Sequence, residues 1–268
     1  MTTLRADLSG LSVAVTGGTK GIGRASVLAL VSNGANVVFQ GRDEVAAKDL
    51  EQACHALPGS AHFVPGDLME FGDVQALVAE ACRVHGQLDV FISSGGPREP
   101  RPKLFSALQS PEQSLATLAS RLTPRLNGLH AAVPVMRTQG QGKIILLTTD
   151  AARMPTPSES MIGAAGAALI ALTRSLAKEL VRDGIRVNAL ATTITSGTPP
   201  YEAYLAAKAE NSNETLVKAF SKAHEVVGLR INTADDLADY IVFLASKASD
   251  QLTGSTVSIN GGLSFPAY

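Results

Sequence analysis

A chain of 268 residues, 45% hydrophobic and 18% charged, is long enough to bury a sizeable core and has the balance of a packed globular protein. Its formal net charge of −1, with no basic run, argues against nucleic acid or an anionic membrane surface as a partner. Residues 1–10 carry Arg5 and Asp7 and lack the apolar stretch of a secretory signal. The longest apolar run, Ala164 to Leu172, reads as too short to span a bilayer. Cys54 and Cys82 fall in helix-like runs and read as reduced packing residues, which suits a cytoplasmic protein. The five histidines show no metal-ligand spacing, so no metal is expected.

In chain order, the first strand is Leu11–Val15, followed by the turn Thr16-Gly17-Gly18-Thr19-Lys20-Gly21-Ile22-Gly23 and a helix over Ile22–Asn33. Four glycines in the seven residues from Gly17 to Gly23 let a backbone turn sharply and approach a pyrophosphate, which the free N–H groups of the helix start would hold. The spacing differs from G-x-G-x-x-G, and a tight turn without a ligand is the alternative reading. Strands at Val37–Gln40, His62–Pro65, Leu88–Ser93, Lys143–Thr148, Arg186–Ala191 and Thr256–Ile259 follow. Several lack polar alternation, as parallel strands covered on both faces do.

Helical patterns fill the intervals at Glu44–Leu57, Phe71–His85, a long run ending near Arg137, Gly163–Arg182 and Asp235–Ser246, the last opened by a capping box at Thr233-Ala-Asp-Asp236. This alternation predicts an α/β fold: a Rossmann-type, doubly wound, seven-stranded parallel sheet in a single domain over 1–268. Two loops, Gly95 to Pro102 and Thr192 to Pro200, follow strands and should border a ligand cleft. A helical insert over Tyr201–Phe220 lies within a lid segment near 193–230.

Strand two ends at Gln40 and is followed by Gly41-Arg42-Asp43. An acid at this spacing would take the ribose hydroxyls of NAD, whereas an arginine would accommodate the 2′-phosphate of NADP. Asp43 also stands where it can cap the next helix. Arg42 and Lys20 together favour NADP(H) over NAD(H).

At these residues the chain resembles the short-chain dehydrogenase/reductase family, in its 3-oxoacyl-carrier-protein reductase-like branch, over nearly its full length. The turn Thr16-Gly17…Gly21-Ile22-Gly23, Gly66-Asp67-Leu68, the segment His85 to Gly96, Gly184-Ile185-Arg186-Val187-Asn188-Ala189 and Leu252-Thr253-Gly254…Asn260-Gly261-Gly262 are similar to its signatures. The resemblance implies that Gly17, Thr19, Lys20, Gly21, Ile22, Arg42, Asp67, Leu68, Ser94 and Gly95 line a dinucleotide.

Members that reduce ketones use a tyrosine as acid, a lysine four residues later, a serine on the preceding strand end and an asparagine on the long helix. The register through Ala167-Ala168-Leu169 and Ser175 to Glu179 puts Ile162 at the tyrosine position and Gly166 at the lysine position. Thr149 takes the serine position and Arg121 the asparagine position, with Asn127 elsewhere on the helix. Thr192-Thr193 replaces the proline-glycine after strand six. Thr149 is therefore the expected catalytic residue, and loss of the two long side chains is expected to open the pocket floor. Tyr204 and Lys208 repeat the spacing inside the insert, but Tyr204 packing inward with Lys208 in water is the better reading. Asp150, Arg153, Arg98 and Tyr201 are further cleft candidates.

The expected function is an atypical NADP(H)-dependent oxidoreductase acting on a small-molecule carbonyl or enone. The alternatives are a non-catalytic nucleotide-binding partner subunit or sensor, and a non-redox lyase or isomerase. The small-residue run Gly163 to Ala168 suggests close helix–helix approach and a homo-oligomer, dimer or tetramer.

Overall fold

A computed structural model describes residues 4–96, 104–212, 214–226, 228–263 and 265. Arg98 and the greater part of the loop Gly95 to Pro102 lie outside the described residues.

The strands are β1 (Ser12–Thr16), β2 (Asn36–Gly41), β3 (Ser60–Pro65), β4 (Val90–Ser93), β5 (Gly142–Thr149), β6 (Ile185–Thr192), β7 (Thr195–Ser196), β8 (Asn232–Thr233) and β9 (Thr256–Ile259). Seven of them form one sheet in the order β3-β2-β1-β4-β5-β6-β9, all parallel. The seven-stranded doubly wound sheet is as expected. No local pattern signals the short parallel ladder β7–β8, which ties the two ends of the insert together.

The helices are α1 (Gly21–Ser32), α2 (Glu44–Cys54), α3 (Phe71–His85), α4 (Pro111–Gln139), α5 (Ser160–Leu180), α6 (Pro199–Ala209), α7 (Glu214–Val226) and α8 (Ala234–Ala245). The insert is thus two helices rather than one. One apolar layer joins α1, α2 and α8 to the sheet through Val15, Leu30, Phe39 and Ile241. The other joins α3, α4 and α5 through Leu77, Phe91, Met136 and Leu180. With both faces covered, Val13, Val37, Val90 and Ile92 are fully buried, which is why these strands carry almost no polar alternation.

α5 begins three residues before its expected start, and with its continuation Ser160–Asp183 is long and apolar enough to cross a membrane by length and composition. In the fold the helix lies across β5 and β6 and beside α4. α8 opens with the expected capping box: Thr233 Oγ1 accepts from Asp236 N–H, and Asp236 Oδ2 accepts from Thr233 N–H at 2.7 Å.

The chain leaves β1 toward β2 and β3 on one side, then returns to β4 and continues outward to β9. The switch point lies between β1 and β4, where a doubly wound sheet opens a crevice at its carboxyl ends.

Candidate functional site

Thr16 locks the switch point. Its hydroxyl donates to the Ser94 carbonyl at 3.0 Å and accepts from the Ser94 N–H at 3.2 Å, tying the ends of β1 and β4. Gly17, at φ +64°, meets Gly95, at φ +78°, backbone to backbone across this junction. A Cβ on Gly17 would stand 2.8 Å from Gly95 Cα, so no side chain fits. Gly18 N–H donates to the Gln40 carbonyl at 2.8 Å, laying the turn over the end of β2. A Cβ on Gly23 would stand 2.1 Å from the Gly17 carbonyl oxygen, so α1 begins pressed against the turn.

α1 has no side-chain cap and no acid in its first turn, as is also true of α5, whereas α2 and α8 are capped by side chains. Its first N–H groups and the positive end of its dipole therefore face the crevice unopposed, the arrangement a pyrophosphate fits. A Cβ on Gly21 would lie 3.3 Å from Pro199 Cδ, so the start of α6 rests directly over the turn.

Around the end of β2 the charges are already paired. Lys20 Nζ lies 2.5 Å from Asp43 Oδ2, and Arg42 Nη1 lies 3.2 Å from Asp67 Oδ2. Asp43 caps α2 by accepting from Ala46 N–H, and this bond, with Lys20, holds its carboxyl below the usual range. Thr19 packs over Gly41, and Leu68 Cδ2 lies against Gly95. Asn127 donates to the carbonyls of Leu68 and Met69 at 3.1 and 3.0 Å, so it shapes the wall beside Leu68. The structure thus gathers Gly17, Thr19, Lys20, Gly21, Ile22, Arg42, Asp67, Leu68, Ser94 and Gly95 around the carboxyl ends of β1, β2, β3 and β4.

On the other side of β4, α4 supplies two arginines one turn apart. Arg125 donates through Nη1 to the Gly95 carbonyl at 2.7 Å and through Nε and Nη2 to the Leu147 carbonyl at 3.2 and 3.1 Å. Burial and the neighbouring Arg121 charge push its pKa down to about 10. Arg121 lies beside Gly96, whose Cβ would come within 3.3 Å of Arg121 Nη1.

Thr149 ends β5, and its hydroxyl accepts from Ala151 N–H at 3.2 Å. A Cβ on Gly166 would lie 2.8 Å from Thr149 Cγ2 and 3.0 Å from Ala152 Cβ, and one on Gly163 would lie 2.5 Å from the Ala151 carbonyl oxygen. Both glycines are therefore used within the chain, to bring α5 against residues 149–152. This overturns the expectation that the missing side chain at Gly166 leaves open space.

Asp150, which is buried, and Arg153, which is half-buried, are scaffold. Asp150 accepts from Ser258 Oγ at 2.5 Å and Asn260 Nδ2 at 2.7 Å, and Arg153 donates to Asp150, Ser258 and the Thr256 carbonyl. Tyr204 is buried and stacks on Phe220 at 5.0 Å, with exposed Lys208 5.9 Å from its ring. Tyr201 pairs with His224 at 3.2 Å. These rings hold α6 to α7, as the inward reading of Tyr204 required.

Sequence reasoning passed over Glu159. It precedes α5 by one residue and Ile162 by three, so the two occupy one side of the helix start. Burial raises the pKa of its carboxyl, opposed in part by the charge of Arg121. Its distance of one turn from Ile162 was the available signal.

The sheet order and the glycine turn define a protein of the Rossmann class. A family model described as Enoyl-(Acyl carrier protein) reductase matches residues 17–264. The chain is 32% identical to L-fucose dehydrogenase of Mus musculus, over 95% of this chain and 88% of that one. It is 29% identical to 3-oxoacyl-[acyl-carrier-protein] reductase of Chlamydia pneumoniae, over 96% and 98%. Levodione reductase shares the fold with a TM-score of 0.84 at 24% identity, covering 95% of this chain and 97% of that one. The chain belongs to the short-chain dehydrogenase/reductase family of oxidoreductases, which work with nicotinamide dinucleotides.

Proposed function

We propose that this chain is an NADP(H)-dependent oxidoreductase that acts on a small-molecule carbonyl or enone without a tyrosine–lysine pair. The observation that carries the reading is the uncapped, acid-free start of α1 at the β1/β4 switch point. Gly17, Thr19, Gly21 and Ile22 would hold the pyrophosphate there, and Asp67, Leu68, Ser94 and Gly95 would line the adenosine and the path to the nicotinamide. Arg42 and Lys20 favour the 2′-phosphate of NADP(H) over the free ribose of NAD(H), with Asp43 and Asp67 as the carboxylates it displaces.

When bound, the nicotinamide supplies or accepts a hydride. The chain's part is to place the substrate and manage its oxygen. Thr149 orients the carbonyl at the end of β5. Arg121, with the field of Arg125 behind it, stabilises negative charge that develops on oxygen. Residues near 193–230, anchored on Gly21 by Pro199, act as the lid. The free, buried Cys54 suits a reducing cytoplasm. The exposed stripe Ala164, Ala167, Ala168 and Ala171 on α5 offers a face for a homo-oligomer.

Calorimetric titration with NADPH, NADP and NADH tests the reading, with Arg42→Ala as control. Binding of NADPH that weakens in the variant supports it, and absence of binding to all three sinks it. A second reading, a nucleotide-binding subunit without activity, draws on apolar Ile162 and sealed Gly166. NADPH binding with no turnover across ketones and enones would favour that reading.

A further inference from the structure

α4 packs on β5 and runs against it. Arg125 donates to the Leu147 carbonyl, whereas Met136, further along the helix, lies against Gly142 at the start of the strand. One turn back along α4, from Arg125 to Arg121, climbs about 6 Å toward the carboxyl ends of the sheet. Two residues on along β5, from Leu147 to Thr149, climb about 7 Å in the same direction. Arg121 therefore stands level with Thr149.

The two guanidinium groups of α4 converge on one point: a Cβ on Gly96 would lie 3.3 Å from Arg121 Nη1 and 3.8 Å from Arg125 Nη1. Arg125 is only 8% exposed, and among the described residues its hydrogen bonds end on the Gly95 and Leu147 carbonyls, with no carboxylate. With a pKa of about 10, it keeps its charge at neutral pH. Glu159 is an acid whose charge reaches Arg121, but burial favours its neutral form and weakens that compensation. A cation buried without a carboxylate, beside a second cation, is costly, and an anion brought in by a ligand lowers the cost. The start of α1 and the pair Arg42 and Lys20 already serve the phosphates of the cofactor, which leaves this position to the substrate.

We infer that the substrate is an oxo acid whose carboxylate pairs with Arg121, in the field of Arg125, while its carbonyl oxygen meets Thr149. The inference rests on the oxidoreductase reading above and names its substrate class. A planar guanidinium presents paired N–H donors that match a carboxylate. A ketone one or two carbons from that carboxylate reaches the level of Thr149 in the same small molecule. Reduction adds a hydride from the reduced nicotinamide to the carbonyl carbon and a proton from water to its oxygen, giving the hydroxy acid and the oxidised nicotinamide. The carboxylate keeps its charge throughout, so its pairing with Arg121 acts mainly on KM.

The test compares 2-oxo and 3-oxo acids of increasing chain length with their methyl esters in NADPH-dependent reduction by the wild type, Arg121→Gln and Arg121→Lys. The acids are expected to exceed their esters in kcat/KM about tenfold or more. Arg121→Gln should raise KM for the acids about 10–100-fold and leave KM for the esters within about twofold, and Arg121→Lys should recover part of the loss. Calorimetry with the matching hydroxy acids on the NADPH-loaded protein, a combination that cannot react, should show binding that weakens by a similar factor in Arg121→Gln.

Esters reduced as well as acids, or a loss in Arg121→Gln that is equal for both, overturns the inference and leaves the oxidoreductase reading standing. Weaker NADPH binding by Arg121→Gln assigns the arginine to the cofactor's phosphates and overturns it too. So does a wild type that binds NADPH but neither binds the hydroxy acids nor reduces the oxo acids. Failure of the wild type to bind NADPH overturns the oxidoreductase reading and this inference with it.

Discussion

Lys20 Nζ and Asp43 Oδ2 lie 2.5 Å apart, joining the glycine turn to the cap of α2. With Arg42 on Asp67, the end of β2 carries two cations and two carboxylates in balance. A 2′-phosphate would draw both cations toward itself. Arg42→Ala is therefore expected to weaken NADPH binding about 10–100-fold, with little effect on NADH. Asp43→Asn keeps a competent cap while removing the competing charge, so NADPH should bind more tightly. Calorimetry at two salt concentrations checks both, with the NADPH effects shrinking at the higher one.

Gly166 reverses the usual rule for a glycine inside a helix. Propensity alone would make Gly166→Ala stabilising by about 1 kcal/mol. The added Cβ would meet Thr149 Cγ2 at 2.8 Å and Ala152 Cβ at 3.0 Å, so a net loss of about 1–3 kcal/mol is expected in denaturant unfolding. For the same reason Ile162→Tyr combined with Gly166→Lys should fold poorly rather than gain activity, as thermal unfolding and a ketone assay would reveal.

Thr149→Val preserves the methyl that packs on Gly166 and removes the hydroxyl. Turnover should fall about 10²-fold while NADPH affinity stays within about twofold. Thr149→Ser should restore most of the rate, a comparison made by steady-state kinetics.

Tyr204→Phe should leave turnover within about twofold, because the ring rather than the hydroxyl stacks on Phe220. Tyr204→Ala should loosen α6 from α7 and cost about 3 kcal/mol or more. Proteolysis of the insert, followed by mass spectrometry, separates the two.

Asp236 carries an acid-dependent share of stability. Arg230 donates to both of its oxygens at 2.5 and 2.6 Å, and Thr233 adds further bonds, lowering its pKa to about 2. A depressed carboxyl stabilises the fold above its unfolded value near 4 and loses that contribution as pH falls toward 2. With Arg230 largely exposed, the share is about 1–2 kcal/mol. Asp236→Asn should remove it at neutral pH and flatten the acid limb of a urea-midpoint-against-pH curve.

Local sequence dictates the strand-helix alternation, the glycine turn and the Thr233–Asp236 cap. Each depends on residues a few places apart, where periodicity and turn chemistry act directly. Asp43 as a cap was legible for the same reason. Lys20 on Asp43, Arg42 on Asp67 and Arg125 on Gly95 and Leu147 were not, because strand order brings these partners together and no local pattern encodes a geometry of ions or carbonyls.

Gly166 shows the difference most sharply. In the sequence it reads as a side chain lost and space gained, but only tertiary packing decides where the helix backbone settles. Here α5 has closed onto residues 149–152, because the absence of a Cβ lowers the cost of close approach and contact is favoured over a void. The raised pKa of the Glu159 carboxyl was decided in the same way, by desolvation opposed by the Arg121 charge on another helix, which no single stretch of the chain contains.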